Sequence, residues 1–310
     1  MKILSHDRKY DAPIVIALGF FDCVHKGHAV IINRAKELAH EYGAQCAVFT
    51  FSNDPCAFLG KKPQLYTLEE RVSVFEDLGV DVTVCAEFTE PFINLSAEKF
   101  LDALNGNFNL KAVVAGTDYS FGANKSGNSE FLQKYFAEKG VRVEIMRFLL
   151  SESGKISSTD IKKSIENGDI EAANDCLSEP YFMLGTIVHA HNRGTKIGYP
   201  TANLQPSQEK LRIKEGVYIT ALTVDGKTFR GGTNVGAKPT FDDSVFSVET
   251  YLTDFEGDLY GKKVKLAFYK RIREISKFSS PEGLQEQLKK DTATINSFFD
   301  NAQKAENKNK

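Results

Sequence analysis

A chain of 310 residues is longer than one hydrophobic core usually serves, so two domains are expected. With 39 basic and 41 acidic residues the net charge is −2, which gives no general electrostatic reason to expect nucleic acid or a membrane surface as partner, and anionic small molecules would have to be held locally. The five cysteines are scattered and form no CxxC, which argues against both a disulfide framework and a zinc knot and fits a reducing cytoplasm.

The opening MKILSHDRKYDAP has no apolar core of the kind a targeting segment needs, and no later run is long enough to span a bilayer. Pro13 to Leu18 is a β-rich apolar run. It leads into the decapeptide Gly19-Phe20-Phe21-Asp22-Cys23-Val24-His25-Lys26-Gly27-His28, after which Ile31, Ala35, Leu38, Ala39 and Tyr42 recur on one face of a helix ended by Gly43. CAVFTF (46–51) reads as a buried strand. Thr67 and Glu70 form a capping box ahead of Val72, Phe75 and Leu78, and residues 80–88 return to strand. Helices over Ser96–Leu104 and Ser129–Glu138 then alternate with strands over 111–116 and 141–148. Apolar strands alternating with helices predict a parallel sheet covered on both faces, whose ligands bind beyond the carboxyl ends of the strands. The decapeptide and the loop GTDYSFG, which contains Asp118, Tyr119 and Phe121, both fall there.

The decapeptide places two imidazoles and backbone N–H groups at the start of a helix, where negative charge is favoured. Gly19 and Gly27 let the backbone and an anion come close. A structural turn, a metal-binding pair and a phosphate site are all open readings, and the position between strand and helix favours phosphate. A second cluster, Ser157-Ser158-Thr159-Asp160-Ile161-Lys162, reads either as a cap by Ser158 or Thr159 on the helix carrying Ile161 and Ile165, or as hydroxyls and an ammonium offered to phosphate.

Near residue 180 the texture changes to short strands separated by turn residues, with Asp225-Gly226 a hairpin marker, and predicts a small antiparallel barrel. Ser280-Pro281 starts a helix whose Leu284, Leu288, Ile295, Phe298 and Phe299 can pack on that barrel, and Ala302 to Lys310 is a polar, disordered tail. Within the barrel, Gly198-Tyr199-Pro200-Thr201-Ala202-Asn203 is either a capped turn or a device that aims a hydroxyl and an amide oxygen at a hard cation. Period-two alternation puts Glu249 on the face of Tyr251 and opposite Val248 and Thr250, as a solvated carboxylate or a general base.

The decapeptide resembles the nucleotidylyltransferase pattern in which HxGH grips ATP, in the version of the prokaryotic bifunctional riboflavin kinase/FMN adenylyltransferase (FAD synthetase) family. GTIVHAHNRGTKIGYPTANL, GVY, TNVGAKPTF and VETYLTDFEGDLYGKKVKLAFYKRIRE are similar, in order and spacing, to the riboflavin kinase module of that family. The resemblance covers Val15 to Phe299. It implies an α/β, Rossmann-like nucleotidylyltransferase domain over residues 1–180, a small antiparallel β-barrel with a packed C-terminal helix over 181–301, and a tail over 302–310. It further implies a cytoplasmic enzyme that phosphorylates riboflavin to FMN and adenylylates FMN to FAD, with Mg²⁺ as cofactor and ATP as co-substrate.

Carried over residue by residue, Gly19, Phe20, Asp22, His25, Gly27 and His28 would hold ATP in adenylyl transfer, assisted by Ser157, Ser158, Thr159 and Lys162. Asp118, Tyr119 and Phe121 would lie on the flavin side. In the kinase module Gly198, Thr201 and Asn203 would position ATP, Thr201 and Asn203 with Mg²⁺, and Glu249 would be the base beside the flavin. Cys23 and Ala190 stand where the family usually has Gly, and Ser120, Lys162, Thr195 and Lys238 where Arg is common. Cys23 is then either a small buried filler or a reactive thiol beside the ATP site. The competing readings are an enzyme with one active module and a flavin- or nucleotide-sensing protein that binds without turnover.

Overall fold

The computed structural model describes residues 1–147, 150–151, 154–188, 201–238, 245–255 and 257–308. The chain divides into two compact units, Met1–Ile161 with Cys176–Glu179 and Glu209–Leu211, and Lys162–Asp175 with Pro180–Gln208 and Arg212–Lys310.

The first unit runs β1 (Lys2–Ser5), β2 (Tyr10–Leu18), α1 (Lys26–Glu41), β3 (Gln45–Phe51), α2 (Pro55–Phe58), α3 (Leu68–Asp77), β4 (Val82–Ala86), α4 (Glu90–Ile93), α5 (Ala97–Asn107), β5 (Phe108–Gly116), α6 (Ser129–Ala137), β6 (Arg142–Met146), and the short pair β7 (Leu150–Ser151) and β8 (Gly154–Lys155). The chain then enters α7 (Ser158–Asn167). The sheet is parallel throughout, in the order β1-β4-β3-β2-β5-β6. Its strands are buried on both faces rather than alternating: Ile14–Leu18, Cys46–Thr50, Val82–Ala86 and Ala112–Gly116 are continuous buried runs. The strand order reverses between β2 and its neighbour β5, so the crevice beyond Leu18 and Gly116 is where such a sheet takes its ligand.

The helices start where their caps dictate. Thr67 and Glu70 make both bonds of the capping box on α3, and Ser96 accepts from Lys99 N–H at the start of α5. Helix α1 ends at Tyr42, with Gly43 following at φ +57°. Its buried face is Ile32, Ala35, Leu38 and Ala39, whereas Tyr42 is 43% exposed and Ile31 turns to a cavity described below. The expected stripe was therefore rotated by one residue at its start. Helix α7 is capped by Ser157, whose Oγ accepts from Asp160 N–H at 3.2 Å, and not by Ser158 or Thr159, because those already lie in the helix.

A buried charge cluster braces the chain between α2 and α3. Arg71, fully buried, donates to Gln64 Oε1 and Tyr66 O at 2.9 Å and to Phe51 O at 2.6 Å. Lys210 reaches Glu70 Oε1 at 2.6 Å, and Leu211 N–H donates to Gln64 O at 2.8 Å. Burial holds both the Lys210 ammonium and the Arg71 guanidinium below their usual values, with nearby carboxylates opposing it.

The second unit comprises the rest of α7, α8 (Ile170–Cys176) as far as Asp175, β9 (Phe182–Val188), β10 (Thr201–Pro206), β11 (Gly216–Val224), β12 (Lys227–Lys238), β13 (Val245–Leu252), β14 (Lys263–Arg273) and α9 (Pro281–Lys308). The six strands close an antiparallel barrel in the order β10-β13-β12-β11-β14-β9. Asp225 and Gly226 both take positive φ, +49° and +73°, as a tight hairpin between β11 and β12 requires. The buried hydroxyls of Thr220, Thr233 and Thr250 form a chain at 2.7 and 2.8 Å, so burying them leaves no orphaned donor.

Ser280 caps α9, whose Leu288, Ile295, Phe298 and Phe299 pack with Ile219, Tyr251, Tyr269 and Ile272. Arg273 holds the buried Asp291 through two nitrogens, the shortest contact at 2.7 Å. The tail expected to be disordered continues this helix to Lys308, since Ala, Gln, Lys and Glu favour helix even without an apolar face.

Candidate functional site

The loop joining β2 to α1 is tightly fitted. Phe21 and Val24 take positive φ, +54° and +38°, at about 1–3 kcal/mol of strain each. Packing holds both in place. A Cβ on Gly19 would lie 2.8 Å from the Phe21 ring, so glycine there lets that ring fold back, where it meets Phe75 and His28 edge-on at 6.1 and 5.2 Å. Val24 O accepts from Ser178 Oγ at 2.6 Å. Asp22, 4% exposed, accepts from Leu65 N–H at 2.7 Å and Tyr66 N–H at 3.3 Å, and so anchors the loop rather than facing the cavity.

Cys23 has no exposed surface and is not one of the positive-φ positions; its Sγ meets Ser158 O at 4.0 Å. Of the two readings of Cys23, its burial supports the small filler, lodged between the decapeptide and the start of α7.

His25 caps α1. Its Nδ1 accepts from His28 N–H at 3.2 Å, and the two imidazoles stack at 3.6 Å with an interplanar angle of 16°. Gly27 makes this possible, since a Cβ there would lie 3.1 Å from the His25 ring. Burial, and secondarily the neighbouring His25, holds His28 well below the usual histidine pKa, so its imidazole is neutral at pH 7. Its Nδ1 is buried without a hydrogen-bond partner among the described residues. Among the described residues no group of three His, Cys, Asp or Glu could hold a metal.

His28 opens onto a cavity of about 540 Å³, within the range of pockets that enclose a small organic ligand. Its walls include eight phenylalanines, and Leu18, Gly19 and Phe20 from the end of β2 meet Gly116, Asp118, Tyr119 and Phe121 from the end of β5. Gly116 leaves room for the Asp118 carboxylate, whose Oδ1 lies 3.1 Å from where a Cβ would be. Tyr119 and Phe121 stack at 5.4 Å, offering flat apolar surface, and burial raises the Tyr119 pKa so that its hydroxyl stays protonated. Ser120 also lines the cavity. Ser157, Ser158, Thr159 and Lys162 do not line it; Ser158 O meets Cys23 of the decapeptide, and Lys162 is only 6% exposed. Phe51, Phe88, Phe92 and Phe100, not singled out in the sequence, form much of the wall.

In the barrel, strand register aligns three oxygen-bearing side chains. Asn203 on β10 pairs with Glu249 on β13, and Glu249 pairs with Asn234 on β12. Thr201 lies two residues from Asn203, on the same face, beside Tyr251. On the opposite face Val248 and Thr250 are buried, as alternation predicted. Gly232 seats the Tyr251 ring, which would lie 2.6 Å from a Cβ there. Asn234 was missed in the sequence; period two along TNVG puts it opposite Thr233, but only strand pairing brings it to Glu249. Gly198, Ala190 and Thr195 lie outside the described residues.

Comparison with known proteins agrees with this division. The sequence model of the FAD synthetase family matches residues 7–160 and that of the riboflavin kinase family residues 177–299. The chain is 38% identical to the bifunctional riboflavin kinase/FMN adenylyltransferase of Listeria monocytogenes, over 96% of each chain, and 35% identical to that of Bacillus subtilis, again over 96% of each. A solved structure from Streptococcus pneumoniae, described as a macrolide-efflux protein, is 31% identical and superposes with a TM-score of 0.85 over 96% of this chain and 99% of that one. Its description belongs to that protein; among the described residues here no helix is long and apolar enough to cross a membrane.

Proposed function

The chain belongs to the family of bifunctional riboflavin kinases/FMN adenylyltransferases, and on that premise we propose which side chains perform each of its two reactions. The barrel unit transfers the γ-phosphoryl group of ATP to riboflavin, and the α/β unit joins FMN to AMP with release of pyrophosphate. One observation carries the assignment of the α/β site: the neutral imidazole of His28, at the start of α1, lines an aromatic cavity at the reversal of strand order.

In adenylyl transfer an FMN phosphate oxygen bonds to the α-phosphorus of ATP as the bond to pyrophosphate breaks. Charge grows on the leaving oxygens. His28, held by the His25 stack, donates a hydrogen bond to it from a fixed position, and the α1 N-terminus adds its dipole. The phenylalanines and Tyr119 enclose the flavin ring, with Asp118 as a polar contact at its edge. Gly19, Phe20, Gly27 and Asp22 shape the backbone around the phosphates, Asp22 by anchoring Leu65 and Tyr66. Ser157, Ser158 and Thr159 complete the phosphate end at the start of α7.

In the kinase, Glu249 accepts the proton of the ribityl hydroxyl as its oxygen bonds to the γ-phosphorus and ADP leaves. Asn203 and Asn234 flank that carboxylate and fix its direction. The hydroxyl of Thr201 and the amide oxygen of Asn203 are hard donors that suit Mg²⁺ shared with ATP phosphates, and Gly198 belongs to the same segment. Mg²⁺, when bound, would neutralise charge on those phosphates. Five scattered cysteines and a reliance on ATP support a cytoplasmic location.

The test is a product assay with riboflavin and MgATP. Wild type should form FMN and FAD. His28→Ala should lower FAD formation by roughly 10²- to 10³-fold and leave FMN formation intact, and Glu249→Gln should lower FMN formation by roughly 10²- to 10⁴-fold. Equal loss of both products in either variant would overturn the assignment, and tight binding without product would favour a sensing protein.

A further inference from the structure

The aromatic cavity suits a flavin ring, but FMN also carries a phosphate dianion that apolar walls cannot accommodate. Among the described residues lining the cavity, Lys125 is the one full positive charge apart from what His28 could acquire. It comes from a loop whose geometry needs an explanation. Asn124 and Lys125 are consecutive and both left-handed, at φ +53° and +56°. Asn tolerates that region; Lys gains nothing from it. The loop is closed around them by Phe121 and Gly127, which exchange backbone hydrogen bonds at 3.0 and 2.9 Å, and by Ala123 N–H on Leu95 O at 2.7 Å. Gly122, at φ +74°, has Ala97 backbone 2.6 Å from a would-be Cβ, so the loop cannot relax outward without losing its seat on α5. The Lys125 ammonium makes no hydrogen bond or ion pair with the described residues.

Strain in a pinned loop, spent on presenting an unengaged cation at a cavity wall, is the pattern of a ligand-binding position. Resting on the assignment of FMN to this cavity, we propose that Lys125 is a specificity-determining residue that binds the phosphate of FMN and so favours FMN over uncharged riboflavin in adenylyl transfer.

The test uses the full chain, with steady-state FAD formation from FMN and ATP varied separately and the melting midpoint measured alongside. Lys125→Met, which removes the charge and keeps the strain, should raise KM for FMN about tenfold or more with KM for ATP unchanged. Lys125→Arg should stay within about threefold of wild type, because it restores the charge-assisted bond. Lys125→Gly should also raise KM for FMN yet melt about 2 °C higher, because glycine relieves the backbone. A rise confined to KM for ATP, or an unchanged KM for FMN in Lys125→Met, overturns this inference. A wild-type enzyme that makes no FAD from FMN overturns the assignment of the cavity instead.

Discussion

Replacing Gly27 by Ala tests whether the His25–His28 stack is a machine part or an incidental contact. The new Cβ would lie 3.1 Å from His25 Cε1 and Nδ1, closer than ordinary van der Waals contact, so the ring must withdraw by a few tenths of an ångström. The withdrawal falls on the 3.2 Å bond from His28 N–H to His25 Nδ1 and on the 3.6 Å stack. Losing that bond costs about 1 kcal/mol, while alanine is preferred to glycine in a helix by up to about 1 kcal/mol. These nearly cancel, so the melting midpoint should stay within about 3 °C of wild type. Catalysis has no such compensation. Misplacement by about 1 Å can cost 10²-fold, and a few tenths should cost about tenfold. FAD formation from FMN and MgATP should therefore fall about tenfold while FMN formation from riboflavin holds. Wild-type FAD formation in Gly27→Ala would refute the claim that the position of the His25 ring matters.

Two further outcomes follow from buried charge. Lys210→Met leaves the Glu70 carboxylate, 1% exposed, without its ammonium at 2.6 Å and should cost roughly 3–5 kcal/mol in denaturant unfolding, most of it recovered in Glu70→Gln/Lys210→Met; a loss under about 1 kcal/mol in the single variant would show that the pair is well solvated. His28, depressed by burial and then by His25, binds a proton below about pH 6.5 only when unfolded, so stability should fall as pH drops through that value, by at most about 1.4 kcal/mol per unit. His28→Gln should flatten this part of the profile, and thermal melts of both proteins between about pH 5.5 and 7.5 would show equal slopes if the imidazole titrates normally.

What could be read in the sequence was what is local. Val82–Ala86 and Ile14–Leu18 announce parallel strands because burial on both faces leaves no charged member, and Thr67–Glu70 announces a helix start because both capping bonds lie within one turn. The errors arose where a residue serves something outside its own element. Ile31 belongs to the cavity and not to the helix's core stripe, so the face of α1 was placed one residue early. Asn234 gains its meaning only from a register with Glu249, fixed by strand pairing. The cavity phenylalanines come from β3, α4, α5 and the adjoining loops, and each taken alone reads as ordinary core. The strain at Phe21 and Val24 had no signature, since neither is a residue type associated with positive φ.

The first unit is discontinuous in the chain: Lys210 closes on Glu70 from 140 residues downstream. Synthesis therefore sets the order of its assembly. At roughly 5–20 residues per second, the 140-residue separation means that about 7–28 s pass between translation of Glu70 and of Lys210. Once Met146 has been made every strand of the parallel sheet exists, yet the carboxylate of Glu70 still lacks the ammonium that will meet it. The α/β unit thus matures only when the ribosome is well into the barrel, and a chain released after Met146 but before Lys210 carries the whole sheet with an unfinished charge cluster beneath α3.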